Sequence, residues 1–209
     1  MTLVKICGIK DAEMLRVACE AGADYIGFML VPNSPREVTI RQADILLSMT
    51  NLASGVAVTA DATNDVLDAI RFTGFPIIQL HGSESPQRVS EIKDRTGLEV
   101  WKAIGVRDKA DLSLCDAYED ADRLLIDAKA PEGEKMAGGH GAAFDWSILK
   151  NWEAPKPWFL AGGLNSENVR DAISATGAPG VDVSSGVERE RGVKDSGMIE
   201  AFVKAVKAP

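Results

Sequence analysis

The stretch PWFLAGGLNSENVRDAISATGAPGVDVSSG, residues 157–186, holds one complete structural unit. Trp158-Phe159-Leu160-Ala161 is a short apolar run of the kind found in a strand covered on both faces. Gly162-Gly163 ends it, and Asn165 or Ser166 supplies the N-cap of a helix that Gly177 stops as a left-handed C-cap. Gly180-Val181-Asp182-Val183 then reads as a second strand, ending in the small turn Ser184-Ser185-Gly186. Strand, helix and strand at this spacing imply parallel strands joined by a right-handed crossover.

Working outward, the same unit recurs along the whole chain. LVKICGI leads to DAEMLRVACEAGA, where Met14, Leu15, Ala18, Cys19 and Gly22 share one helical face. YIGFML leads through a loop to TIRQADILLSM, SGVAVTA to NDVLDAIRFTG, and PIIQLHG to SPQRVSEIKDRTG. LEVWKAIGV is followed by KADLSLCDAYED, RLLIDAK by a Gly-rich loop and DWSILKNW, and GVDVSSG by SGMIEAFVKAVK. Asn64 reads as a further N-cap, and Gly74 and Gly97 as further C-caps. Eight such units, with no linker between them, predict an α/β fold: a (β/α)₈ TIM barrel as a single domain over residues 1–209. The rival, an open doubly wound sheet, calls for a G-x-G-x-x-G after the first strand, and none is there.

Composition narrows the function classes. The chain has 209 residues, 45% hydrophobic and 26% charged, enough for a sizeable core. A net charge of −8 argues against nucleic acid or an anionic membrane as partner, although a few local donors can still capture a small anion. No apolar run reaches the roughly 20 residues that span a bilayer, and the first residues lack the pattern of a signal peptide. Cys7, Cys19 and Cys115 form neither a paired framework nor a CxxC motif, so a cytoplasmic location is expected. His81 and His140 are the only histidines and show no ligand spacing, so no metal site is expected.

Barrels of this type carry their chemistry at the C-terminal ends of the strands. Those ends are Cys7, His81, Asp127, Gly162-Gly163 and Ser184-Ser185-Gly186, and the loop after the second strand adds NSPR, ending in Arg36. Side chains two apart share a strand face, which pairs Lys5 with Cys7, Gln79 with His81, Leu125 with Asp127, and Asp182 with Ser184. Polar groups on these faces suit the barrel mouth, because under the helices they would lack partners. The Gly pair before a helix and the Ser-Ser-Gly turn let backbone N–H groups approach an anion closely. On the seventh and eighth strands of a barrel, that is where a phosphate is held.

These residues resemble the phosphoribosylanthranilate isomerase family of tryptophan biosynthesis over nearly the whole chain. KICGI, NSPR, QLHG, LLIDAK…GGHGAAFDW, LAGGL…NV and GVDVSSGVE…GVKD are similar to its motifs, in its order and on its strands. The resemblance implies an Amadori rearrangement of N-(5-phospho-β-D-ribosyl)anthranilate, a small phosphorylated substrate, without metal or organic cofactor. It makes Cys7 the general base and Asp127 the general acid, brings Arg36 to the anthranilate carboxylate, and gives the phosphate to Gly162, Gly163, Ser184, Ser185 and Gly186. Asp182 and His81 would lie against the substrate. A monomer or a homodimer is expected.

For Cys7 to take a carbon-bound proton it needs thiolate character, and Lys5 with local donors is expected to lower its pKa. The loop APEGEKMAGGHG is expected to close over the site, and His140 within it is given no role. Trp101, Trp146, Trp152 and Trp158 are expected between helices and barrel, and VERERGVKD as a solvated loop. Another phosphosugar barrel would call for paired aspartates or metal-binding histidines, and a silent metabolite-binding barrel would need no reactive thiol.

Overall fold

The computed structural model describes residues 1–128 and 145–208. Eight parallel strands close into one barrel in chain order, β1 to β8. They are β1 (Leu3–Cys7), β2 (Tyr25–Met29), β3 (Ser54–Thr59), β4 (Ile77–Leu80), β5 (Glu99–Val106), β6 (Arg123–Ala128), β7 (Trp158–Ala161) and β8 (Gly180–Val183). Pairing of β1 with β8, Leu3 opposite Gly180 and Lys5 opposite Asp182, completes the ring. The closed (β/α)₈ barrel is the architecture expected from the alternation.

Around the barrel lie α1 (Ala12–Ala21), α2 (Ile40–Leu47), α3 (Asn64–Arg71), α4 (Pro86–Thr96), α5 (Val169–Thr176) and α6 (Ser196–Lys207). Local chemistry sets their ends. The Asp11 side chain accepts from Met14 N–H, Thr39 and Gln42 make a reciprocal capping box, and Ser85 caps a helix that begins with Pro86. Gly22, Gly97 and Gly177 close helices in the left-handed conformation. Gly74 does not: α3 has already ended at Arg71, and Phe72 is its C-cap. Thr63 takes the N-cap position expected at Asn64, while the Asn165 side chain accepts from the N–H groups of Glu167 and Asn168 ahead of α5. Among the described residues, the crossovers after β5 and β6 carry 3₁₀ turns, Lys109–Ala117 and Trp146–Leu149, rather than α-helices.

Two apolar layers hold the barrel. The larger lies between strands and helices, and the smaller fills the ring with Cys7, Val56, Val58, Ile77, Trp101, Ala103, Leu125, Phe159 and Ala161. Trp101 therefore belongs inside the ring, contrary to expectation. Its ring stacks on Phe159 at 4.9 Å and meets the edge of Tyr25 at 5.0 Å, making a floor near the N-terminal ends of the strands. Trp101 Nε1–H and Arg123 Nε–H both donate to Glu99, so the indole N–H of this floor is satisfied. Trp158, on the other strand face, packs outward against Trp152.

Candidate active site

Above the floor the inward residues turn polar. Lys5 is fully buried, with Nζ 2.8 Å from Asp182 Oδ1. One step up the same face stands Cys7, also buried. Room for both comes from Gly27 of β2, where a Cβ would lie 2.8 Å from Cys7 Sγ and 3.1 Å from Lys5 Nζ. Burial pushes the Cys7 thiol above its ordinary value; Lys5 and Lys194 pull it down, and Asp182 pushes it up. The expected lowering is thus overturned: the cation is present, but desolvation outweighs it.

Asp127 sits at the same end of the barrel, where β6 pairs it with Gly105 and Ala161. Its carboxylate oxygen Oδ2 is 3.7 Å from His81 Nε2, and both side chains remain partly open to solvent at the mouth. Gln79 Nε2 lies 3.0 Å from His81 Nδ1 and orients the ring from below. The loop after His81 is anchored beneath by a buried ion pair, Lys102 Nζ to Glu84 Oε2 at 2.9 Å, and Lys102 also donates to Gly82 O. Cys7 and Asp127 therefore stand at the same end of the barrel, on strands three apart around the ring. A thiol and a carboxyl on two sides of one bound sugar can move protons between its carbons and oxygens.

The turns after β7 and β8 come together as one cradle. Gly162 and Gly163 adopt φ of 94° and 65°, a conformation that favours glycine. A Cβ on Gly186 would fall 1.8 Å from Leu164 O, so the two loops touch at a point where no side chain fits. Asn168 Nδ2–H donates to Gly163 O and fixes the shape of the first loop. The Ser184 hydroxyl donates to Cys7 O, linking the second loop to the end of β1. Nearby backbone N–H groups in such a concavity suit a phosphate.

Arg36 also reaches the mouth, but with a partner that sequence reasoning missed. VERERGVKD is no solvated loop: Glu188–Glu190 and Val193–Lys194 form an antiparallel hairpin, β9 and β10. Glu188 and Lys194 are buried in it, with side chains 3% and 2% exposed. Glu188 accepts from Arg36 Nε and Nη2 and from Lys194 Nζ. Burial alone would raise the Glu188 carboxyl, but these bonds and one from Gly192 N–H hold it down at about 2. The Gly192 turn between two short alternating runs is the signal that could have revealed the hairpin. His140 and the expected closing loop lie outside the described residues. Among the described residues no group of three or more His, Cys, Asp or Glu could hold a metal ion, and no helix is long and apolar enough to cross a membrane.

Comparisons with known proteins agree with this fold. Residues 4–205 match the family model described as N-(5'phosphoribosyl)anthranilate (PRA) isomerase. An N-(5'-phosphoribosyl)anthranilate isomerase of Hyphomonas neptunium is 55% identical over 208 residues, covering 100% of this chain and 98% of the relative. The crystal structure of phosphoribosyl anthranilate isomerase from Thermotoga maritima superposes with a TM-score of 0.89 at 35% identity, covering 100% of both chains. A structure of such an isomerase in complex with reduced 1-(o-carboxyphenylamino)-1-deoxyribulose 5-phosphate gives a TM-score of 0.84 at 32% identity, again with 100% of both chains covered.

Proposed function

The chain belongs to the N-(5'-phosphoribosyl)anthranilate isomerase family and carries out that isomerisation in tryptophan biosynthesis, and on this premise we propose how its own residues divide the work. Asp127 is the general acid. It delivers a proton to the ring oxygen of the ribose, the furanose opens, and a Schiff base forms between C1′ and the anthranilate nitrogen. Cys7 is the general base. It removes the proton from C2′, the electrons of that bond neutralise the iminium, and the resulting enol amine tautomerises to the ketone. Each proton transfer of this kind contributes about 10²–10⁴-fold.

Arg36 meets the anthranilate carboxylate, and the loops at Gly162-Gly163 and Ser184-Ser185-Gly186 hold the phosphate. His81, beside Asp127, and Asp182, beside Lys5, line the sugar site. The observation that carries this assignment is a thiol and a carboxyl at the same end of one barrel as the glycine-lined loops after β7 and β8. Every group invoked comes from a single chain, so a monomer or a homodimer would serve. We place the enzyme in the cytoplasm, where its three unpaired cysteines would stay reduced.

To act as the base the thiol must first give up its own proton; burial opposes that step, while Lys5 beside it favours the thiolate that then takes the proton from C2′. The test is turnover of freshly made phosphoribosylanthranilate, followed by loss of its fluorescence. Cys7→Ser and Asp127→Asn, each folded by circular dichroism, are expected to lower kcat by at least about 100-fold. Near-normal kcat in either variant removes that residue from its role.

A further inference from the structure

Arg36 enters the mouth already engaged along one edge. Its Nε and Nη2 donate to Glu188 Oε1 and Oε2 at 2.6 and 2.8 Å, which uses the side edge of the guanidinium. The end edge, formed by Nη1 and the second Nη2 hydrogen, has no acceptor among the described residues. A planar guanidinium held along one edge presents the other in a fixed direction, with the spacing that a carboxylate accepts in a bidentate pair.

Several contacts make that direction rigid. Glu188 cannot swing, because Oε1 also takes Lys194 Nζ at 2.8 Å and Oε2 takes Gly192 N–H at 3.0 Å. The hairpin rests on the loop that carries Arg36, since a Cβ on Gly192 would meet Pro35 O at 2.5 Å. The Arg36 stem crosses Gly8, where a Cβ would lie 2.7 Å from its Cδ, next in sequence to Cys7. The charges also balance usefully. Arg36 and Lys194 share one carboxylate, so the cluster keeps a net positive charge for an incoming anion.

We propose that Glu188 is a positioning residue for the reaction: it takes the side edge of Arg36, with Lys194 offsetting its charge, so that the end edge is aimed at the anthranilate carboxylate beside Cys7. This rests on the reading that Arg36 binds that carboxylate. It explains why a carboxylate can stand against the substrate's own anion-binding residue without cancelling it.

The experiment compares phosphoribosylanthranilate with the aniline analogue that lacks the carboxylate, using wild type, Glu188→Gln, Arg36→Ala and Arg36→Lys. Glu188→Gln is expected to raise KM for the carboxylated substrate by roughly 10- to 100-fold, with kcat changed by less than about threefold, the size of a loosened charge-assisted contact. Turnover of the aniline analogue should stay within about threefold of wild type. Equal losses on both substrates, or an unchanged or lowered KM, overturn the proposal. Should Glu188→Gln not fold, Arg36→Lys decides: it keeps the charge and loses the fork, and must lose the preference for the carboxylated substrate. Full preference in Arg36→Lys overturns the proposal as well. Full preference in Arg36→Ala means that Arg36 does not bind the carboxylate at all. A preference lost in Arg36→Ala but kept in Glu188→Gln defeats only the role of Glu188.

Discussion

Exchange of Lys5 for methionine keeps most of the length of the side chain and deletes its charge. In the native barrel the ammonium is fully buried and 2.8 Å from Asp182 Oδ1, itself buried. Methionine would fill most of that space and leave the carboxylate without its ion partner. Removing one member of a buried pair costs about 3–5 kcal/mol, far more than loss of an exposed pair. In a protein of this size each kcal/mol moves Tm by about 2–4 °C, so Tm is expected to fall by about 6–20 °C. Urea unfolding should show a lower midpoint with an unchanged slope. The double variant Lys5→Met/Asp182→Leu, which deletes both charges, should regain most of the loss. A second readout concerns Cys7, whose thiol burial has already raised and which Lys5 pulls down. Loss of Lys5 moves it further up, so alkylation by iodoacetamide at fixed pH should slow, with the label mapped to Cys7 by mass spectrometry. Cys115, pushed up to about 12 by burial, gives little background. A Lys5→Met protein with wild-type Tm, or with Cys7 alkylated as fast as before, refutes the electrostatic account of this strand end.

Three further outcomes are expected. Because bonded cations and Gly192 N–H depress the Glu188 carboxyl to about 2, its contribution is complete above its ordinary value of 4.5 and is lost as pH falls through the folded value. Urea unfolding between about pH 5 and 2 should therefore cost wild type about 2–3 kcal/mol more than Glu188→Gln, and equal acid slopes refute this. Gly186→Ala places a methyl 1.8 Å from Leu164 O and must part the two anion loops, raising KM by roughly 10- to 100-fold; an unchanged KM removes that cradle from phosphate binding. Trp101→Ala opens the floor of the barrel and should cost about 3–5 kcal/mol in urea unfolding, and a cost below about 1 kcal/mol would place the ring elsewhere.

The barrel was legible because its strands obey a strict local rule. Alternation put Cys7, His81, Asp127 and Asp182 on inward faces, and each strand end could be read from the glycine or loop that follows. What escaped depends on distances across the chain. Trp101 lies in a strand with apolar side chains on both faces, Trp101 and Ala103 on one and Val100, Ile104 and Val106 on the other, and one charge on each, so nothing local tells inside from outside. Glu188 and Lys194 look like surface charges until the hairpin turns them toward Arg36, 152 residues from Glu188. The direction of the Cys7 shift is hidden for a related reason: the neighbouring cation is visible in sequence, whereas the depth of burial that opposes it is not. Gly74 failed as a cap because Phe72, not the glycine, ends its helix.

The packed rings of Tyr25, Trp101 and Phe159 have a kinetic corollary. A tube stoppered at its base is a dead-end vestibule, and whatever comes in leaves by the same door. The ketose must therefore vacate the chamber before another aldose is admitted, so each occupant is a complete bar to the other. Inhibition by a product mimic is accordingly competitive, and no complex carries both ligands at once.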